Sequence, residues 1–115
     1  MIPYLQERCI DILQPDCGHT GGITQMKKIA TLAETFYVPI SPHDASGPVN
    51  VMAGAQVMMS VPNFYCLEAR RVDLECYNVL LDEPLRVRDG ALLVPRRPGL
   101  GLSLNREYLE GHQVQ

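Results

Sequence analysis

Apolar and polar positions follow two rhythms along the chain, and the switches between them mark out its elements. Residues 3–8 read as the end of a helix, and Cys9-Ile10-Asp11-Ile12-Leu13-Gln14 reads as a strand that Pro15-Asp16 ends. A loop holding Gly18, Gly21 and Gly22 follows. Apolar residues then fall at Ile23, Met26, Ile29, Ala30, Ala33 and Phe36. Mostly three or four apart, they share one face of a helix, with Lys27, Lys28 and Glu34 on the other side. Tyr37-Val38-Pro39-Ile40-Ser41 is a second strand, although Pro39 has no N–H to give a ladder. Pro42 closes it, and the loop Asp44-Ala45-Ser46-Gly47-Pro48 leads on. Residues 49–60 are rich in Met and small side chains, which predicts a helix buried nearly all round. Pro62-Asn63 breaks it, and Phe64-Tyr65-Cys66-Leu67 is a third strand.

The order strand–helix–strand–helix–strand, with near-continuous apolar strands, predicts an α/β fold built on parallel pairing and covered on both faces. After about Val72 the pattern changes. Leu85-Arg86-Val87-Arg88 and Ala91-Leu92-Leu93-Val94 flank Asp89-Gly90, a strong signal for a hairpin. Pro98-Gly99-Leu100-Gly101 is tight and irregular, and residues 104–110 predict a short terminal helix.

Composition narrows the class. The 115 residues are 46% hydrophobic and 20% charged, enough for one small globular domain and too few for two. A net charge of −3 offers no basic surface for a nucleic acid, and Arg70-Arg71 and Arg96-Arg97 read as solvated surface pairs. The start carries no basic segment followed by an apolar run, and the most apolar stretch, 49–61, is interrupted by Asn50 and Gln56. A cytoplasmic protein without a membrane partner is the expectation. Cys9, Cys17, Cys66 and Cys76 lack the close pairing of a zinc site and read as reduced, mostly buried small side chains. The nearness of Cys17 to His19 is a weak metal signal.

Each expected strand ends in an ionisable residue: Asp16, His43 and Glu68. They are separated by 27 and 25 residues, about one βα repeat. Ligands of parallel α/β folds bind at this end of the strands. Adjacent strands lie roughly 5 Å apart, so Asp16 can reach His43 and His43 can share a site with Glu68. A carboxylate beside an imidazole fixes its tautomer and strengthens it as a base. Glu68 could act as a further acid or, if protonated, bond a developing oxyanion. An Asp that caps a helix and a solvated loop His are the plain alternatives for any one of them.

Several ordered runs carry a resemblance. Asp11-Ile12-Leu13-Gln14-Pro15-Asp16 with Gly21-Gly22-Ile23-Thr24, Ser41-Pro42-His43-Asp44, and Val61-Pro62-Asn63-Phe64-Tyr65-Cys66-Leu67-Glu68 resemble the ends of the sixth, seventh and eighth strands of enolase-superfamily barrels. The subgroup is that of mandelate racemase, and within it the acid-sugar dehydratases. Asp82-Glu83-Pro84-Leu85, Asp89-Gly90 and Arg97-Pro98-Gly99-Leu100-Gly101 resemble the tail that returns to the capping domain.

The resemblance implies the C-terminal part, about strands six to eight, of a TIM-type (β/α) barrel over residues 1–72. Residues 73–115 would be a tail with a β-hairpin that packs on the capping domain. It implies His43 as general base, Asp16 as its dyad partner and Glu68 as stabiliser of the enediolate. The reaction would remove the proton next to a carboxylate and then expel the β-hydroxyl, giving a 2-keto-3-deoxy sugar acid. Such sites use Mg2+ to hold the anion, but its ligands lie on strands three to five, which nothing in this chain matches. Asp44, Asp73 and Glu75 do not fit the ligand motif. A barrel needs about 250 residues, so the missing barrel half and cap become partners, as does the sugar-acid substrate, in an enzyme expected to be a homo-oligomer. This chain is expected to be inactive alone, and its open strand edges favour association. The alternatives are a non-catalytic half-barrel interaction module or split-enzyme subunit, and a racemase or cycloisomerase of the same superfamily.

Overall fold

The computed structural model describes residues 1–112. Among the described residues five α-helices order the chain: α1 (Ile2–Gln6), α2 (Ile23–Thr35), α3 (Pro48–Met58), α4 (Arg71–Tyr77), which a 3-10 turn at Asn78–Leu80 follows, and α5 (Arg106–Glu110). A two-stranded hairpin, β1 (Val87–Arg88) and β2 (Ala91–Leu92), lies between α4 and α5. No helix among the described residues is long and apolar enough to cross a membrane.

The three segments expected as strands lie side by side and parallel, but single bridges join them instead of ladders: Leu13 with Ile40, Asp16 with His43, and Ile40 with Phe64. Proline explains the gaps. The Leu13 N–H donates to the Pro39 carbonyl at 3.0 Å and the His43 N–H to the Pro15 carbonyl at 2.9 Å. Pro15 and Pro39 themselves stand in positions facing the same neighbour, and neither has an N–H to return. Pro42 interrupts the pairing with the third segment in the same way. Ile40, in the middle, is tied on both sides, through Ser41 N–H to Leu13 O and Tyr65 N–H to Ile40 O, each at 2.9 Å.

Two helices cover this layer. α2 buries Met26, Ala30 and Ala33, positions its sequence spacing assigns to the inner face. α3 starts at Pro48, whose missing N–H costs nothing in a first turn. It buries seven residues from Val51 to Met58, so it is apolar nearly all round. Met26, Ala30, Ile40, Ala53, Val57 and Met58 form one cluster with Cys17, and Leu5, Ala33 and Val38 form a second beneath α1. All four cysteines are free, but only Cys17 is buried; Cys9, Cys66 and Cys76 are exposed, contrary to the sequence expectation. Full burial of a side chain such as Ile40 contributes about 1.5–3 kcal/mol. The Asn63 amide joins the layers by donating to the carbonyls of Ala30 and Val38 at 3.1 and 3.0 Å.

Residues 71–112 pack through a few apolar side chains, Leu74, Leu81 and, against the main cluster, Leu100, and through polar ties. α4, which the apolar pattern does not announce, holds one buried residue, Leu74, and carries Arg70–Asp73 and Arg71–Glu75 pairs along its face. The hairpin turns on Asp89 and Gly90, with φ of 52° and 77°. Two left-handed residues are what a type I′ turn requires. Gln56 of α3 donates to the carbonyls of Pro95 and Leu100, fastening the tail to the helical layer. Arg97 pairs with Glu83 and donates to the Gly101 carbonyl at 2.9 Å.

Gly101 gives a direct test of this tail. Its φ is 76°, and an added Cβ would lie 2.7 Å from the Pro95 Cβ. Gly99, at φ 70°, has open space around the same position. Gly99→Ala is expected to cost about 1–2 kcal/mol for its backbone alone. Gly101→Ala is expected to cost about 1–3 kcal/mol more for the clash. Denaturant melts of the two variants check the order.

Candidate active site

The parallel bridge between Asp16 and His43 brings the first two candidate residues together at one end of the layer. Asp16 is 5% exposed, and its carboxylate is ringed by donors. Oδ2 accepts from His43 Nδ1 at 3.0 Å, Asn50 Nδ2 at 3.1 Å and Ser46 Oγ at 3.3 Å. Oδ1 accepts from the His19 N–H at 3.0 Å, with His19 Nδ1 3.3 Å away. Burial alone would raise the Asp16 pKa. The His43 hydrogen bond, the backbone N–H groups of His19 and Gly18, and the His19 charge outweigh it and hold the carboxyl down at about 2.

A carboxylate can only accept, so His43 Nδ1 carries the hydrogen and Nε2 is left as the free basic nitrogen. The bond to Asp16 raises the His43 pKa. Partial burial opposes this, and the charges of Glu68, Asp16 and Asp44 add to it. The imidazole is 40% exposed and opens outward, where a substrate could approach. Glu68 stands on that side, with Oε2 3.9 Å from His43 Nε2. The same oxygen accepts from Gln14 Nε2 at 3.0 Å and from the Asp44 N–H at 3.3 Å. The three residues singled out by their spacing thus lie together: a buried carboxylate, a half-exposed imidazole and a half-exposed glutamate side chain.

Sequence reading misses four neighbours. Ser46 and Asn50 look like a loop residue and an interruption of an apolar helix, yet both bond Asp16. Gln14 looks like a strand residue, yet it orients Glu68. Asp44 is 4% exposed; Oδ1 accepts from Asn50 at 3.3 Å, and Oδ2 has no partner. Burial pushes its pKa up to about 7; the Asn50 bond and His43 pull it down, and the charges of Asp16 and Glu68 push it further up. Only the Ser-Pro-His-Asp run could have pointed to Asp44. The remaining candidates lie elsewhere. Asp73 and Glu75 are engaged with Arg70 and Arg71 on α4. The cleft between α4 and the hairpin, lined by Leu67, Arg71, Leu74, Leu85 and Val87, holds none of the three site residues.

The family model described as enolase C-terminal domain-like matches residues 1–108. This chain belongs to that family. Among its relatives, a D-xylonate dehydratase of Haloferax volcanii is 36% identical over 96% of this chain, which covers 27% of that protein. A D-gluconate dehydratase of Thermoproteus tenax is 35% identical over 99% of the chain and 23% of its own length. A D-galactarolactone cycloisomerase of Agrobacterium fabrum is 34% identical over 91% of the chain and 30% of its own length. Among solved structures, a mandelate racemase/muconate lactonizing enzyme-like protein from Rubrobacter xylanophilus superposes with a TM-score of 0.83 at 33% identity, over 99% of this chain and 29% of that one. The enolase-family chain therefore spans less than a third of the length of the relatives it matches.

Enolase-superfamily enzymes usually use Mg2+. The donors at this site do not fit such an ion. Asp16 spends both oxygens on N–H and O–H donors, and one Glu68 oxygen is taken by two. Asp44 Oδ2 stands alone, and no three of His, Cys, Asp and Glu gather to hold a metal among the described residues.

Proposed function

We propose that the chain supplies the base-bearing part of an acid-sugar dehydratase, and that Asp16, His43 and Glu68 perform its proton transfers. Residues 1–72 correspond in this reading to about strands six to eight of a TIM-type barrel, and residues 73–115 to the tail that packs on the capping domain. The observation that carries it is the 3.0 Å bond from His43 Nδ1 to Asp16, which leaves Nε2 free and facing Glu68. Nε2 takes the proton from the carbon next to the substrate carboxylate. The Asp16 carboxylate stabilises the imidazolium that forms. Glu68, 3.9 Å from Nε2, stands on the side where negative charge develops on the substrate oxygen, the place of a hydrogen-bonding stabiliser in this reading. The β-hydroxyl then leaves as water, taking its proton from an acid outside this chain, and the enol so formed tautomerises to the 2-keto-3-deoxy acid. The metal-bearing and substrate-selecting groups belong to the rest of the barrel and cap, and are partners in this reading.

The test is an assay of the protein from its source against a panel of aldonic acids, following 2-keto-3-deoxy product. Turnover of at least one sugar acid is expected, and none by the isolated 115-residue chain. A cycloisomerase is the second reading, favoured by the galactarolactone relative. Lactone isomerisation without dehydration would replace the first reading with the second.

A further inference from the structure

We propose that Asn50 is a positioning residue for this chemistry: it holds the Asp16 carboxylate against His43 and separates it from Asp44. This inference rests on the dyad reading above and adds to it. Asn50 sits in the first turn of α3 and reaches back to the loop that follows Asp16. The orientation of its amide is fixed by chemistry. The Gly18 N–H can only donate, and it lies 2.8 Å from Oδ1, so Oδ1 is the acceptor and Nδ2 points the other way. There Nδ2 has two hydrogens and meets two carboxylates, Asp16 Oδ2 at 3.1 Å and Asp44 Oδ1 at 3.3 Å.

This single side chain links three parts of the site. It closes the loop at Gly18, directs Asp16, and places a donor between two buried acids. Gly18 fits the arrangement, since a Cβ there would lie 3.3 Å from both Asn50 Oδ1 and Asp16 Oδ1. His43 and Asn50 converge on the same Asp16 oxygen, so the carboxylate cannot rotate away from His43 without also breaking the Asn50 bond. Removing Nδ2 leaves Asp16 facing Asp44 with no donor between them. Repulsion then favours swinging Asp16 off the imidazole. The charged and titratable groups around the cluster are Asp16, Asp44, His19, His43, Glu68 and the buried Cys17 thiol, and Asn50 alone among its polar side chains hydrogen-bonds both buried acids.

A double-mutant cycle tests this, read by NMR as the titration midpoint of His43 in the full chain. Asp16→Asn is expected to lower that midpoint. In the Asn50→Ala background the same substitution is expected to lower it by about half as much or less. An equal fall in both backgrounds overturns the role of Asn50 and leaves the dyad standing. No fall in the wild-type background overturns the dyad itself. A second reading needs no variant, should Asn50→Ala fail to fold. The Asn50 side-chain NH2 resonances of the wild-type chain are expected to shift in step with His43. Resonances that stay flat through that titration overturn the proposal.

Discussion

His43→Asn lowers turnover of sugar acid by the source protein by about 10²–10⁴-fold, the range that a positioned general base contributes. His43 Nδ1 is committed to Asp16, and Nε2 is the basic atom on the open side of the site. Asparagine can keep a donor toward Asp16 but has no nitrogen that accepts a proton near neutral pH. Substrate binding relies on groups outside this chain in the proposed enzyme, so the loss falls on kcat and leaves KM little changed. Steady-state kinetics on the two proteins check both parts. A variant with wild-type kcat would remove His43 from the reaction.

Asp44→Asn stabilises the protein at alkaline pH and leaves it nearly unchanged at pH 4. Asp44 is buried, one oxygen has no partner, and no cation among the described residues pairs with it directly. Its folded pKa is pushed from 3.8 to about 7, chiefly by burial. The folded state therefore holds the proton more tightly than the unfolded state. Stability linked to Asp44 is fully present below about pH 4 and is lost as pH rises toward 7 and beyond. A move from 3.8 to about 7 corresponds to roughly 4 kcal/mol at the upper limit. The substituted amide has no charge to desolvate, and its oxygen can still accept from Asn50. Urea melts at pH 4 and pH 8 measure the difference, and an equal effect at both would contradict a buried, destabilising acid. The dyad acts with different signs. Asp16, held at about 2, contributes stability above about pH 4 that is lost as pH falls toward 2. His43, raised from 6.5, contributes stability below about 6.5 that is lost as pH rises through its folded value.

The meeting of Asp16, His43 and Glu68 could be read because strand ends recur at a nearly constant interval. The 27- and 25-residue separations put Asp16, His43 and Glu68 at equivalent points of successive repeats, and lateral packing brings equivalent points together. α2 and α3 were legible for a related reason, since burial imposes a period on one and a continuous apolar run on the other. The strands were over-read because side-chain pattern says nothing of N–H supply; three prolines cut their ladders to single bridges. α4 escaped because one buried leucine leaves no apolar stripe, and its visible signal was the charge pairing of Arg70 with Asp73 and Arg71 with Glu75. Asn50 escaped because its role is set by what α3 packs against, which a linear pattern does not contain. Asp44 was plain as a residue, but only the fold shows that it is buried without a full set of partners.

The most direct measurement of the central claim uses a sugar acid carrying deuterium at the carbon next to its carboxylate, converted by the source protein in ordinary water. His43 is partly open to solvent, so a proton it accepts exchanges away. The expected result is a 2-keto-3-deoxy product free of that deuterium, with the label in the water and slower turnover than for the protium substrate. Product carrying the whole of that deuterium on the neighbouring carbon, with none in the water, would mean that the hydrogen did not pass through a solvent-open base, and would contradict the assignment of the half-exposed His43 with Asp16 as the base-bearing pair.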